Sequence, residues 1–292
     1  MIFFLCSSEH SYSRFIPFNV SSFCAYRWLF PKVWKANRAA KKVQDIAYRM
    51  MDNYRKKHGN ESQELNSSKS PDKKYEDDTI ISRIMNDTEY TCDEERAADI
   101  SIFLAAGHDT TAYSISWTLL EITRNQPPEL AAFRKKIADG NLPEEEWKRV
   151  DELQYMIKEG MRLQPVLAMG TVRDVGEEIT YQHGTEKVVC PKDSIYFINL
   201  FPLFRNPKYY DEPDKYIPSR WENTAPGAAA CHIPFSIGSR NCIGQNLANA
   251  ELHTVLAVLC ARYDFDIESE GYPEYLTTLK PVNTLLIPKK LF

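Results

Sequence analysis

The stretch between Thr91 and Arg124 limits the fold more than any other. It reads as one long helix whose middle, DISIFLAAGHDTTAYSISWTLL, is apolar nearly all round. A helix with a single apolar stripe lies on a surface, whereas one that is apolar on every side has to be surrounded. The sequence therefore predicts a buried central helix, opened by a capping box with Thr91 as cap and Glu94 three residues on. Wrapping such a helix takes many other elements. At 292 residues, 43% hydrophobic and 26% charged, the chain is large enough to supply them and is neither disordered nor collagen-like.

The rest of the chain alternates helix and strand signals. Val33, Ala36, Ala40, Val43, Ala47, Met50 and Tyr54 recur at spacings of three and four, predicting an amphipathic helix over Pro31 to Lys57 with a basic outer face. The polar, Ser-rich segment 58–78 reads as a mobile loop, and a short helix follows around Ile80 to Met85. Pro127-Pro128 ends the central helix and starts another, closed by Asp139-Gly140. A further helix runs from about Glu152 to a stop before Pro165. TVRDV, EITYQ, EKVVC and SIYFINL are β-rich runs separated by turn residues. An irregular Pro-rich segment, Pro202 to Pro234, leads to a last helix over Cys242 to Arg262, then strand-like YDFDIES and TLLIP. The class expected is mainly α with small β-sheets (α+β).

Several functions are disfavoured. A net charge of -4 gives no electrostatic reason to expect nucleic acid. Seven cysteines, an odd number without a CxxC pair, argue against a disulfide framework and a structural zinc site. No apolar run reaches the ~18 residues of a spanning helix, and the N-terminus is a poor signal peptide.

Three places carry unusual chemistry. Inside the apolar helix lies a polar island, Gly107-His108-Asp109-Thr110-Thr111. There a Gly costs about 1 kcal/mol relative to Ala, and an Asp needs a partner. A packing kink with a satisfied Asp explains it about as well as a site. Glu159 and Arg162, three apart, share a helix face. Such a pair matters only if it is buried and joined by a further cation, for which Arg220 is the candidate. Finally, Phe235-Ser236-Ile237-Gly238-Ser239-Arg240-Asn241-Cys242-Ile243-Gly244 places a Cys at the mouth of the last helix, where the dipole favours a thiolate. Gly238 permits a tight turn, Gly244 lets a flat ligand approach, and Arg240 can bind an acidic group of that ligand.

This last run resembles the haem-binding loop of the cytochrome P450 family, F-x-x-G-x-R-x-C-x-G, at every fixed position. Ala106-Gly107-His108-Asp109-Thr110-Thr111 resembles that family's oxygen-activating helix, Glu159 to Arg162 its E-x-x-R pair, and Pro218-Ser219-Arg220-Trp221 its P-E-R-F/W element, with Ser219 in place of the acid. All four stand in family order. The resemblance covers Pro31 to the C-terminus, implying one domain over 31–292, the C-terminal portion of the family's fold, after a poorly defined segment 1–30.

The resemblance implies haem as cofactor, with Cys242 as thiolate ligand to its iron. Arg240 and Arg173 would bind its propionates, Phe235 would pack beside the thiolate, and Gly238 would shape the loop. Gly244 and Ala248 would let the last helix pass close to the porphyrin, and Ala106 and Gly107 would line its other face. Asp109 and Thr110 would deliver protons to bound oxygen, while Glu159, Arg162 and Arg220 would form a structural triad. The activity implied is insertion of one oxygen atom from O2 into a hydrophobic substrate, with electrons from a reductase; a separate expectation is that this partner docks near the Cys-loop face through the basic residues Arg134, Lys135 and Lys136. The intact Asp109–Thr110 pair argues against a peroxide-rearranging relative. Phe103, Ala106 and Val166 to Met169 are the apolar candidates for substrate contact. Family members carry an N-terminal block that this sequence does not show, so a truncated, non-catalytic haem-binding remnant or gene fragment is the alternative. Localisation by resemblance is the endoplasmic reticulum membrane surface, with no anchor in this chain, and otherwise the cytoplasm.

Overall fold

Short-range rules account for most helix ends. In the computed structural model, which describes residues 5–6, 31–58, 79–140 and 142–291, helix α1 spans Pro31–His58 and α2 Ile80–Asn86. Thr79 caps α2 by accepting from the Ser82 amide. Helix α3 spans Asp93–Asn125, α4 Pro128–Ala138 and α5 Asp151–Leu163. Pro127 and Pro128 stop one helix and start the next because Pro has no amide to donate but a helical φ. The capping box is displaced by one residue. It is Glu95, not Glu94, whose carboxylate accepts from the Thr91 amide (2.8 Å) and hydroxyl (2.9 Å), because α3 begins only at Asp93. The loop expected over 58–78 falls outside the described residues, apart from His58 at the end of α1.

The chain forms two compact units, one over Ser11–Ala106 and one made of Met1–His10 with Gly107–Phe292. The core of the first is a small apolar cluster of Ala47 and Met51 from α1, Ile84 from α2, and Ala97 and Ile100 from α3. Arg55 Nη2 donates to both carboxylate oxygens of Asp93 (2.7 and 2.8 Å), which ties α1 to the start of α3.

The second unit packs α4, α5 and α8 (Gln245–Arg262) with the later part of α3 around Ile122, Phe133, Leu153, Met156, Ile157, Leu252 and Leu256. Its strands form small antiparallel sheets. β2 (Thr171–Asp174) and β1 (Leu5–Cys6) flank β5 (Ser194–Ile198), and β3 (Ile179–His183) pairs β4 (Glu186–Cys190). The Pro-rich segment holds two short helices, α6 (Leu200–Leu203) and α7 (Pro226–Cys231), and a 3-10 turn at Pro218–Trp221. After α8, β6 (Tyr263–Ser269) pairs β9 (Leu285–Lys290), and β7 (Tyr272–Tyr275) pairs β8 (Leu279–Val282). The α+β class with mostly helix is what the sequence predicts.

The expectation of a wholly buried α3 needs correction. Trp117, Leu120 and Ile122 are buried, whereas Ile102 is 56% exposed and Leu104 is exposed as well. Among the described residues α3 is covered on one face of its first turns, at Ala97 and Ile100, and over its last turns, while the stretch around residues 102–108 is largely exposed. Within the second unit α3 and α5 approach closely at Gly160, where an added Cβ would stand 2.5 Å from the Thr118 hydroxyl.

Candidate functional site

The most completely bonded part of the molecule is a charged cluster on α5. Glu159 and Arg162 are both fully buried, which is tolerable only if every donor and acceptor is met. They are. Arg162 donates from Nε and Nη2 to the two Glu159 oxygens (2.9 Å each), from Nη1 to the carbonyls of Phe204 (2.8 Å) and Pro213 (2.6 Å), and from Nη2 to that of Lys215 (3.0 Å). Glu159 also accepts from Arg220 Nε, the Ile217 amide and Trp221 Nε1, each at 2.9 Å. The three residues anticipated as a triad thus meet, with Trp221 as a fourth side chain. Its indole N–H needs a partner when buried, a signal the sequence carried.

This cluster fixes the segment that leads into the cysteine loop. His232 lies ten residues before Cys242, its ring centroid 4.5 Å from that of Trp221 and 5.5 Å from that of Phe204. Burial, with Lys158 and Arg162 nearby, pushes its pKa down to about 3 despite a hydrogen bond with the Lys158 backbone. Its Nε2 is buried and meets no partner among the described residues.

The loop is rooted in the core and opens outward. Phe235 packs against the main apolar cluster, and its carbonyl accepts from the Cys242 amide (2.9 Å). Between them a 3-10 turn runs over Gly238–Arg240. Gly238 has φ 80, where a side chain would be strained. Ser236, at φ 62, bears that strain, and its hydroxyl lies 3.4 Å from that of Thr171 on β2. Strand residues two apart share a face, so Arg173 stands on the same side of β2 as Thr171. Its guanidinium donates to the Val172 carbonyl (2.8 Å).

Among the cysteines whose side chains are described, Cys242 is the exposed one. Cys260, by contrast, is buried in α8 and pushed up to about 12 by desolvation, a poor thiolate. Around Cys242 lie Ile237, Ile243 and Leu247, exposed at 64%, 84% and 57%, with the exposed Arg240 among them. A Cβ at Gly244 would stand 3.9 Å from the Cys242 Sγ. Helix α8 starts at Gln245, so the cysteine precedes it by three residues, and Ala248 is half-buried on its first turns. One soft donor, an aliphatic collar, a cation and a glycine beside the sulfur suit a flat apolar macrocycle with a metal centre and acidic substituents. The residues fit haem.

On α3, a Cβ at Gly107 would meet nothing within 4 Å, and the neighbouring Ala106 is exposed. Asp109 is not a buried carboxylate seeking relief. It is about half-exposed and its Oδ1 lies 2.7 Å from His108 Nδ1. Thr110 is partly buried beside it, and Thr111 is buried.

One expectation narrows and one fails. Of the three basic residues, Arg134 is used within the chain, capping the end of α8 by donating to the carbonyls of Cys260 (2.9 Å) and Tyr263 (2.8 Å), while Lys136 pairs with Glu152 (2.7 Å) and stays half exposed. Val166 is a core residue, clustered with Trp117, Leu120 and Leu279, which leaves Leu167 and Met169 as exposed apolar groups.

A cysteine presented on a core-anchored loop, beside an arginine and behind a buried carboxylate–guanidinium cluster, defines a haem-thiolate type of site. The sequence pattern of the cytochrome P450 family matches residues 7–292, and the chain belongs to that family. It is 32% identical over 256 residues to a taurochenodeoxycholic 6 alpha-hydroxylase of Sus scrofa, covering 84% of this chain and 48% of that protein. It is 33% identical to cytochrome P450 4F8 of Homo sapiens (67% of this chain, 38% of that protein) and 33% identical to leukotriene-B4 omega-hydroxylase 3 of Mus musculus (63% and 36%). The chain therefore spans about half or less of the length of these relatives. The fold matches a crystal structure of a cytochrome P450, CYP102L1, with TM-score 0.69 and 20% identity, over 95% of this chain and 60% of that one.

Proposed function

We propose that the chain carries the haem-binding and oxygen-activating part of a monooxygenase that inserts one atom of O2 into a hydrophobic organic substrate, using electrons from a reductase. The observation that carries this reading is the exposed Cys242 within its aliphatic collar, on a loop held from behind by the Glu159 cluster. Thiolate-ligated haem supplies the oxygen-activating chemistry when bound. In this reading Cys242 holds the iron, and Arg240 and Arg173 hold the propionates. Phe235, Gly238, Gly244, Ala248 and Gly107 shape the surroundings of the ring. The loop's core-rooted end keeps the sulfur from drifting, since the Cys242 amide is already committed to Phe235.

Asp109 and Thr110 hold and move protons on the other side, and Glu159, Arg162 and Arg220 position the loop without touching the cofactor. Leu167 and Met169 offer apolar contact to a substrate with a hydrophobic body. By family likeness the place of action is the endoplasmic reticulum membrane surface. Among the described residues no helix is long and apolar enough to cross a membrane.

The test is the difference spectrum of the reduced, carbon-monoxide-bound chain supplied with haem. A strongly red-shifted Soret band that disappears in Cys242→Ser supports the reading. Absence of such a band in the parent chain leaves the non-catalytic remnant in its place.

A further inference from the structure

We infer that His108 is a positioning residue that passes protons between bulk water and Asp109, an inference that rests on the monooxygenase reading above. Successive helix residues point about 100° apart and do not ordinarily face one another. The 2.7 Å approach of His108 Nδ1 to Asp109 Oδ1 is therefore not something the helix imposes. The two side chains have folded toward each other. The imidazole is also among the more open groups of the site, 83% exposed against 47% for the carboxylate. One ring nitrogen thus lies on Asp109 while the ring as a whole stands in water.

An imidazole in that position can conduct a proton without storing charge. A proton taken from water at Nε2 is matched by one released from Nδ1 to Asp109 Oδ1. The ring ends neutral with its proton on the other nitrogen, and exchange with water, which takes the proton from Nε2 and supplies one to Nδ1, restores the starting tautomer. No electrons move, and the carboxylate gains the one proton that it then gives up in catalysis. A contact between groups this exposed adds little to stability. The pair can therefore be removed without disturbing the fold. The family resemblance gives roles to Ala106, Gly107, Asp109 and Thr110 of this run and none to His108.

The test has two arms. In the haem-free chain, labelled at histidine, two-bond nitrogen–proton correlations report the tautomer of each ring. His108 is expected in the Nδ1-protonated form and to revert toward the Nε2-protonated form in Asp109→Ala. An Nε2-protonated His108 that is indifferent to Asp109→Ala overturns the inference.

In the haem-loaded chain with a reductase and dodecanoate as a hydrophobic acid probe, hydroxylated product is measured per electron pair, with hydrogen peroxide as the complement. His108→Ala should lower that yield about tenfold, a modest share of a general-acid contribution. KM and thermal midpoint should hold. His108→Ala should cause no further loss in an Asp109→Asn background, because both lie on one path. A parent chain that makes no product sinks the monooxygenase reading. An Asp109→Asn chain as well coupled as the parent sinks the role of Asp109. An uncoupled Asp109→Asn beside an unaffected His108→Ala sinks the relay alone.

Discussion

The Glu159 cluster and the Cys242 loop lie on neighbouring stretches of one compact unit and are opposite in kind. In the first, every N–H of a fully buried guanidinium is matched by a carboxylate or carbonyl supplied by the chain itself. In the second, a thiol, an arginine and three aliphatic side chains face outward. Both are read as motifs in the sequence, yet one is an internal joint and the other a surface made to receive something. The difference predicts that mutations in the joint act on folding, and mutations in the loop on binding.

The largest effect should come from Glu159→Gln. It keeps the shape but leaves Arg162 buried without its counter-charge, a loss of roughly 3–5 kcal/mol. A shift of the urea midpoint reads it, and a shift worth less than about 1 kcal/mol would break the contrast. Next comes acid. The folded state binds the His232 proton far more weakly than the unfolded chain, so stability should be full above the ordinary histidine range. It should fall as pH drops from about 6.5 toward 3. The sum is on the order of 3–5 kcal/mol, and His232→Phe should flatten that limb of the pH–stability curve. A curve unchanged by that substitution would remove His232 from the joint.

Gly160→Ala should cost about 1–3 kcal/mol by driving a Cβ into Thr118, and Thr118→Ala in the same chain should restore part of it. The Thr118 hydroxyl, buried with no partner among the described residues, makes that rescue more favourable. The smallest stability effect belongs to Cys242→Ser. The urea midpoint of the haem-free chain should move by less than about 0.5 kcal/mol while the thiolate-type spectrum vanishes, which sharpens the contrast.

Legibility followed the same divide. Helix ends set by Pro127-Pro128, Gly140 and Pro165 could be read because their causes are local. So could the strands at Thr171–Asp174 and Ser194–Ile198. The β7–β8 pair could not, since it places Pro273 opposite Pro281, residues that argue against strands anywhere but an edge. Within the joint, an i,i+3 carboxylate and guanidinium suggest a pair. Nothing in the sequence singles out the carbonyls of Phe204, Pro213 and Lys215, because every residue has one. The apolar run of α3 suggested cover on every side, but a run of residue types cannot say which turns find neighbours, and among the described residues Ile102 and Leu104 stay exposed. Arg134 looked like a surface charge because its use, closing the end of α8, depends on residues 126 and 129 positions away.

Those separations bear on how the chain is made. Glu159 receives its last partners from residues 58 to 62 positions downstream, and Arg162 draws on carbonyls 42 to 53 positions downstream. On the ribosome, α5 leaves the tunnel with two charges that have each other but whose remaining partners are still unsynthesised. It cannot be buried until Trp221 has followed. Residues of the cysteine loop emerge directly after that, onto a support that has only just closed. Released chains ending before Trp221 should be open to protease at α5, and protection should be complete only in chains that include α8, whose Leu252 and Leu256 cover the same helix.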